Sequence, residues 1–435
     1  MTQFGDLSKV KNMSGTVSVK RFLLLLTLAA CFLHSGASPL KRVSPERVGM
    51  DSRVLERADS AINDAIAKGD IPGAVFAVVR HDRIALLKAY GHQQVWPAKV
   101  PMQTGTVFDM ASCSKAMSTA ICTLMLCDEG RIRLQDAVNR YIPDFEDWTA
   151  SNGKKEAIRI CHLLTHTSGL PAYASVETLE KKYGAPCPDA LLQHICHVKR
   201  AFAPENDFRY SCLNYIVLQH IIEKVSGESL RQYALDRIFH PLQMSYTDYF
   251  PCAPDAQGKW TNTLQPQWAV AIGNDWKQKV APTTRQADGS LLQAMVHDPL
   301  ARRLNGGVSG NAGLFSTADD IAVFCAMLQN DGEWQGKRIL SRQSAALLRT
   351  VPRFASDFGR TYGWDNRSPY ASCNGDLFSE KTYSHTGFTG TSIVIDPVLD
   401  CSVIFLCHSV HPSEGKSVVR LRSILSNIVA ASIVD

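Results

Sequence analysis

The stretch "DMASCSKAMSTA", residues 109–120, places a serine and a lysine three positions apart at the start of an apolar segment. Five Ser-x-x-Lys pairs occur in the chain: Ser8/Lys11, Ser38/Lys41, Ser112/Lys115, Ser151/Lys154 and Ser413/Lys416. Spacing alone therefore does not single out Ser112 and Lys115, but their setting does. Apolar residues continue behind them at helical spacing, at Met117, Ile121, Leu124, Met125 and Cys127. This pattern predicts a buried helix on which Ser112 and Lys115 share one face.

The wider chain has a mixed α and β pattern. Its 435 residues are 45% hydrophobic and 20% charged, which fits one large domain or two. "GAVFAVVRHDRIALLKAYG", residues 73–91, contains two β-rich runs around the turn "RHDR". Strand patterns return in residues 383–408, with a turn at Asp396-Pro397, and an amphipathic helix ends the chain. We therefore predict an α/β (α+β) fold, in which helices flank an antiparallel sheet built from both chain ends, about 70–92 and 383–408. A large, mostly helical region, about 112–300, is inserted between them.

The first 37 residues have the composition of an export signal. A basic segment ending in Lys20-Arg21 precedes the apolar run "FLLLLTLAACFL", and small residues follow it in "SGAS". The run is shorter than the roughly 20 residues that span a bilayer, which favours a cleaved signal over a retained membrane anchor. A third alternative is lipidation at Cys31 in "LAAC", and Met13 is an alternative start. Residues 38–44 are predicted to be a linker, and residues 45–435 the folded domain.

Composition offers no sign of a cofactor, a metal or a nucleic-acid partner. Residues 1–37 carry +3 of the net charge of +5, so the remainder is close to neutral. The 13 cysteines lie mostly in apolar patterns, which predicts buried thiols rather than a disulfide framework. "HICH", residues 194–197, has no second cluster at zinc-site spacing. We expect covalent chemistry that needs no cofactor.

Three segments together supply the groups that a nucleophilic serine needs. A serine hydroxyl requires a base, a second proton carrier and donors for the oxyanion. Lys115 qualifies as the base if burial at a helix N-terminus lowers its pKa. Tyr210 in "RYSCLNY" is a second proton carrier, and "SHTGFTG" places His385 to Gly387 on a strand edge. Each segment alone also fits a purely structural role, as does "THTSGLP" with His166, but their joint order favours catalysis.

The order Ser-x-x-Lys, Tyr-Ser, His-Thr-Gly resembles the serine β-lactamase and penicillin-binding protein superfamily. The flanking stretches "IPGAVFAVV", "RICHLLTHTSGLP" and "GGVSGNAGLFSTADDIAVF" are similar to its class-C-like branch, which contains low-molecular-weight penicillin-binding proteins, β-lactamases and esterases. The resemblance covers roughly residues 45–435. It implies a β-lactamase/DD-peptidase-like fold.

The resemblance also implies a role for each matching residue. Ser112 attacks a carbonyl to form an acyl-enzyme, Lys115 accepts its proton, and Tyr210 passes protons to and from the leaving group. The backbone N–H groups of Ser112 and Phe388 form the oxyanion hole. Thr386, beside Gly387, contacts a substrate carboxylate.

Two positions depart from the family pattern. His385 stands where most members carry lysine, so its charge is expected to depend on pH near about 6.5. The second motif reads Tyr210-Ser211-Cys212 where Tyr-x-Asn is usual, and a thiol does not replace an amide. Asn214 is expected to face elsewhere on its helix. Slow turnover is the expected consequence.

The sequence therefore predicts an exported, periplasmic serine hydrolase at the outer side of the inner membrane. Its expected activity is that of a weak D-alanyl-D-alanine carboxypeptidase on peptidoglycan stem peptides, with β-lactams as acylating pseudo-substrates. A β-lactamase or an esterase with the same chemistry is one alternative. A non-catalytic protein that binds penicillin or muropeptides is another, and the sequence leaves the oligomeric state open.

Overall fold

A computed structural model describes residues 40–415 and 417–435. The hypotheses of an export signal over residues 1–37, of lipidation at Cys31 and of a start at Met13 lie outside the described residues. In the described part, no helix combines the length and the apolar character that crossing a membrane requires.

Sixteen strands and twelve α-helices are formed by the described residues. The strands are β1 Lys41–Arg42, β2 Gly73–Arg80, β3 Arg83–Gln94, β4 Val100–Pro101, β5 Phe108–Asp109, β6 Trp148–Thr149, β7 Lys155–Glu156, β8 Asp248–Tyr249, β9 Cys252–Pro254, β10 Trp260–Asn262, β11 Leu314–Ser316, β12 Glu333–Trp334, β13 Lys337–Arg338, β14 Tyr383–Thr386, β15 Ser392–Asp396 and β16 Cys401–Cys407. The helices are α1 Ser52–Leu55, α2 Arg57–Ala67, α3 Ala120–Asp128, α4 Ile160–Leu164, α5 Val176–Tyr183, α6 Pro188–His197, α7 Cys212–Ser226, α8 Leu230–Ala234, α9 Ala269–Ile272, α10 Ala318–Gln329, α11 Arg342–Leu348 and α12 Val419–Ala431.

The main sheet is assembled from both ends of the chain, as predicted. Its strand order is β1-β3-β2-β16-β15-β14, and every neighbouring pair is antiparallel except β1 with β3. His81 and Asp82, in the "RHDR" turn, both have positive φ, as the tight turn of a β-hairpin requires. Within the predicted linker over residues 38–44, Lys41 and Arg42 pair with β3 as an edge strand.

Both faces of this sheet are covered. Successive side chains of a strand point to opposite faces, so β2 contributes to two cores and is buried along its whole length. Val75 and Ala77 enter the core shared with the helical region. Phe76 and Val78 enter the core beneath α2 and α12. Val394 of β15 and Val403 of β16 belong to the same core, so this second layer of helices covers these strands from behind.

The inserted region is less regularly helical than predicted. It contains α3 to α9, but five short strands, β6 to β10, interrupt them. The helix that follows Ser112 begins with a π-helical segment, Lys115–Thr119, before the α-helical turns of α3. Single π-helical turns are rare in proteins, but those that do occur are often found at functional sites.

Candidate active site

Ser112 stands on a tight turn between β5 and the helix behind it. The preceding residue, Ala111, has a φ of 45°, a conformation that L-residues adopt at a cost. The turn is held by Asp109, whose Oδ1 accepts the Ala111 N–H at 2.8 Å. The Ser114 hydroxyl donates to the Ala111 carbonyl at 2.6 Å. The nucleophile is therefore presented by a strained, well-supported turn.

Lys115 lies beside Ser112, as the spacing predicts. Its buried Nζ donates to Ser112 Oγ at 3.0 Å, to the Asn311 carbonyl at 2.8 Å and to Cys212 Sγ at 3.7 Å. Burial disfavours the ammonium, but attraction to Cys212 and Tyr210 outweighs it and raises the pKa of Lys115. The expectation of a lowered pKa is therefore wrong in its net direction, although burial itself lowers it, because the neighbouring ionisable groups were not visible in the spacing.

Tyr210 closes the site from the side of α7. Its ring centroid lies 5.0 Å from Lys115 Nζ, and its hydroxyl interacts with the Ser112 side chain. The rings of His166 and Tyr370 pack against it, with centroids 4.4 and 4.8 Å away. Burial raises the pKa of Tyr210, so the phenol is protonated at neutral pH.

His166 holds the segment that carries Tyr210. Its Nδ1 accepts the Ser211 N–H at 3.1 Å and the Asn214 amide at 3.1 Å, and its carbonyl accepts the Arg209 N–H. Burial lowers the pKa of His166 well below its usual value, so the ring stays neutral. Asn214 also accepts from Ser168 and thus faces this loop rather than Lys115.

Cys212 stands at the position where the resemblance implies an asparagine. Its thiol is a weak, distant acceptor for Lys115 at 3.7 Å. The Asn311 side chain interacts with Cys212, while the Asn311 carbonyl accepts from Lys115. Asn311 was not among the residues predicted from the sequence. Its only signal was its position in the glycine-rich stretch "GGVSGNAGLFS".

The opposite wall is the end of β14. His385 donates from Nδ1 to the Thr386 carbonyl at 2.9 Å. Burial, with the nearby Arg360 charge, lowers the pKa of His385 to about 3. The expectation of a charge that depends on pH near about 6.5 is therefore corrected, because an enclosed ring beside a cation stays neutral.

β14 and the nucleophile turn approach closely at Gly387. A Cβ on Gly387 would lie 2.6 Å from the Met110 carbonyl oxygen and 2.2 Å from Thr391 Oγ1. Only glycine permits this approach. Arg422 on α12, missed in the sequence, supports it by donating to the carbonyls of Gly387, Gly390 and Thr391.

The predicted oxyanion donors are available. Among the described residues, no acceptor takes the backbone N–H of Ser112 or that of Phe388. The two residues line a cleft of about 530 Å³ together with Tyr210, His385, Thr386 and Gly387. The Phe388 side chain is 64% exposed at the rim of the cleft and stacks on His297.

A buried ion pair lies behind this wall and was not predicted. Arg360 and Asp365 pair with side chains 0% and 2% exposed. The Arg360 guanidinium lies 5.7 Å from the centroid of the Tyr210 ring, and Asp365 borders the cleft. The backbone N–H of Asp365 donates to the Ser384 carbonyl at 2.9 Å, which ties the pair to β14.

The remaining cysteines and acidic groups form no metal site in the part of the chain that the structure describes. The twelve described cysteines are free thiols, ten of them buried, which confirms the prediction of buried thiols.

The ammonium, the hydroxyls and the free N–H groups around Ser112 are the groups that acyl transfer through serine uses.

Comparison with known proteins agrees with this geometry. A family model described as Beta-lactamase matches residues 58–425. The chain is 31% identical over 400 residues to the "N-acetylmuramyl-L-alanine amidase" of Bacillus subtilis (strain 168), covering 87% of each chain. It is 29% identical over 410 residues to the "Putative D-alanyl-D-alanine carboxypeptidase" of Escherichia coli (strain K12), covering 90% of this chain and 92% of that protein.

Two solved structures share the fold. The hydrolase EstCE1, with promiscuous acyltransferase activity, has a TM-score of 0.64 at 22% identity, covering 87% of this chain and 99% of that chain. The octameric penicillin-binding protein homologue from Pyrococcus abyssi has a TM-score of 0.61 at 21% identity, covering 86% and 76%. Together with the family match, these likenesses show that the chain belongs to the Beta-lactamase family, within the serine β-lactamase and penicillin-binding protein superfamily.

Proposed function

We propose that this chain is a serine hydrolase that forms an acyl-enzyme on Ser112 and acts as a weak D-alanyl-D-alanine carboxypeptidase on peptidoglycan stem peptides. The observation that carries the proposal is the bond from Lys115 Nζ to Ser112 Oγ, 3.0 Å long, beside two free backbone N–H groups. The E. coli relative's name supports the choice of substrate.

The proposed reaction proceeds in two stages. Ser112 Oγ attacks the carbonyl carbon of the peptide, and its proton passes to the neutral form of Lys115. The N–H groups of Ser112 and Phe388 bind the oxyanion. As the C–N bond breaks, Tyr210 delivers a proton to the leaving nitrogen and regains one from the Lys115 ammonium. Water then attacks the Ser112 ester, the acyl group leaves as a carboxylic acid, and a proton of the water returns to Ser112 Oγ.

Intact-protein mass spectrometry after exposure of the full chain to a fluorescent penicillin tests the acyl-enzyme. We expect an adduct of one penicillin, absent in Ser112→Ala and retained in Ser151→Ala. Ser151 is the matched control because it heads another Ser-x-x-Lys on an exposed turn. An adduct that persists in Ser112→Ala, or no adduct in the unmodified chain, would overturn the proposal.

The acylation rate should rise with pH. The raised pKa of Lys115 makes its neutral amine a minor species at pH 7, and each pH unit increases that species about tenfold. His385, with a pKa of about 3, should add no step near neutrality. The rate of adduct formation between pH 6.5 and pH 9 measures this, and a plateau starting at neutral pH would contradict it.

Replacing Cys212 with asparagine should accelerate turnover. An amide oxygen accepts a shorter hydrogen bond from Lys115 than the thiol does at 3.7 Å, and one such bond is worth about tenfold in rate. Release of D-alanine from a stem peptide measures the effect, with Cys212→Ser as the control for loss of the thiol. If neither the unmodified chain nor Cys212→Asn hydrolyses the stem peptide, the result would instead favour the non-catalytic penicillin-binding alternative.

An esterase is the second candidate, and the neutral His385 favours it. A ring with a pKa of about 3 gives no positive charge for a substrate carboxylate at neutral pH. Ester substrates without a carboxylate do not need that charge. A kcat/KM higher for p-nitrophenyl acetate than for diacetyl-lysyl-D-alanyl-D-alanine would support the esterase and count against the carboxypeptidase.

The location of the protein is also a proposal. We infer export to the periplasm from the basic and apolar pattern of residues 1–37. Cell fractionation and N-terminal sequencing of the mature chain test it. A cytoplasmic chain that keeps its first residues would overturn it.

A further inference from the structure

Asp109 lies beneath the active site and takes no part in the proposed proton transfers. Asp109 is only 3% exposed, so its carboxylate is buried. Among the described residues, this carboxylate forms no ion pair with a cation. Oδ1 accepts the Ala111 N–H at 2.8 Å, and Oδ2 accepts the His297 N–H at 2.7 Å. Burial of a carboxylate without a cation is costly, and these hydrogen bonds offset only part of that cost.

The two hydrogen bonds of Asp109 reach the neighbours of both oxyanion donors. Ala111 directly precedes Ser112 in the turn with positive φ. The His297 ring stacks on Phe388, with centroids 5.6 Å apart and an interplanar angle of 23°. One carboxylate thus connects the turn that presents the Ser112 N–H to the ring that supports Phe388.

Backbone contacts of the same segment reinforce this connection. The Asp109 carbonyl accepts the Thr389 hydroxyl at 2.8 Å, directly after Phe388. The Met110 carbonyl accepts the Thr391 hydroxyl at 3.2 Å. The loop that carries Phe388 is therefore hydrogen-bonded to Asp109 and Met110 at two places, and the Asp109 carboxylate reaches it indirectly, through His297. The carboxylate is the acceptor that a side-chain substitution can change.

We propose that Asp109 is a positioning residue that sets the separation of the Ser112 and Phe388 N–H groups in the oxyanion hole. The inference rests on the proposed function, because it concerns the same acyl transfer. A donor displaced from an oxyanion costs about 10²-fold or more in rate, so loss of one Asp109 bond should slow acylation at saturation and leave penicillin affinity nearly unchanged.

The ionisation of Asp109 provides a second signature. Burial, with a smaller contribution from Asp298, raises the pKa of Asp109 to about 6, against the opposing effects of the His297 and Ala111 hydrogen bonds and of Arg302. A protonated carboxyl keeps one good acceptor and loses the other. As pH falls through about 6, acylation should decline more steeply than the loss of neutral Lys115 alone predicts.

Asp109→Asn tests the inference, and Asp320→Asn is its matched control. Asp320 is also a buried carboxylate; it accepts the Tyr246 N–H at 2.7 Å and the Thr247 hydroxyl at 2.8 Å at the N-terminus of α10. At pH 8, Asp109→Asn should lower the saturating rate of penicillin acylation about 10²-fold. Asp320→Asn should lower thermal stability and leave the acylation rate unchanged.

The outcomes separate the inference from the proposed function. An adduct in the unmodified chain supports the proposed function, whatever Asp109→Asn does. The inference would be overturned if Asp109→Asn acylates at the rate of the unmodified chain. It would also be overturned if the acylation rate falls no more in Asp109→Asn than in Asp320→Asn. A steeper decline below pH 6 that disappears in Asp109→Asn would support it independently of folding.

Discussion

Lys115→Met is expected to abolish penicillin acylation, with a fall of at least about 10³-fold in rate, while the chain stays folded. Lys115 is the described amine that contacts Ser112 Oγ, so without it the serine has no base. Methionine has a similar length and is suited to the apolar neighbours behind the turn. Stopped-flow mixing with a fluorescent penicillin measures the rate, and thermal unfolding checks the fold.

Lys154→Met is the control for this substitution. Lys154 has the same spacing from Ser151 as Lys115 has from Ser112, but its side chain is 69% exposed and pairs with Glu156 at 3.3 Å. We expect acylation in Lys154→Met to match that of the unmodified chain. Acylation in Lys115→Met within tenfold of the unmodified chain would mean that Tyr210 alone activates the serine.

The sheet could be predicted from sequence because its signals are local. Alternation in residues 73–91, the turn at His81 and Asp82, and the apolar runs of β15 and β16 each lie within a few residues. The positions of Ser112, Lys115 and Tyr210 came from the order of the motifs. The role of Phe388 was implied by the family resemblance, as the residue that follows His-Thr-Gly.

The supporting residues could not be predicted, because they act across long separations. Asn311 is 196 positions from the Lys115 that it contacts, and His297 is 188 positions from Asp109. The same reason explains the two wrong pKa expectations. The pKa of Lys115 depends on burial and on Cys212 and Tyr210, and that of His385 on burial and on Arg360; none of these partners is adjacent in sequence.

Asp365→Asn is expected to cost about 3–5 kcal/mol of unfolding free energy. Arg360 is 0% exposed, so removal of its carboxylate partner leaves a buried charge without compensation. Ser368 also donates to Asp365, and an amide oxygen would accept that hydrogen bond more weakly than the carboxylate does. Urea unfolding followed by tryptophan fluorescence measures the change, and Trp364 lies next to Asp365 in the chain.

Two further variants make the result specific to the buried pair. Asp331→Asn removes a carboxylate whose side chain is 39% exposed and which pairs with Arg349, and it should cost less than about 1 kcal/mol. The double variant Arg360→Met with Asp365→Leu should recover most of the stability, because well-packed apolar side chains replace a buried ion pair at little cost. Equal losses in Asp365→Asn and Asp331→Asn would show that Arg360 reaches water. If Asp365→Asn and the double variant lose the same unfolding free energy, the loss comes from the altered geometry of the β14 wall and not from the uncompensated charge of Arg360.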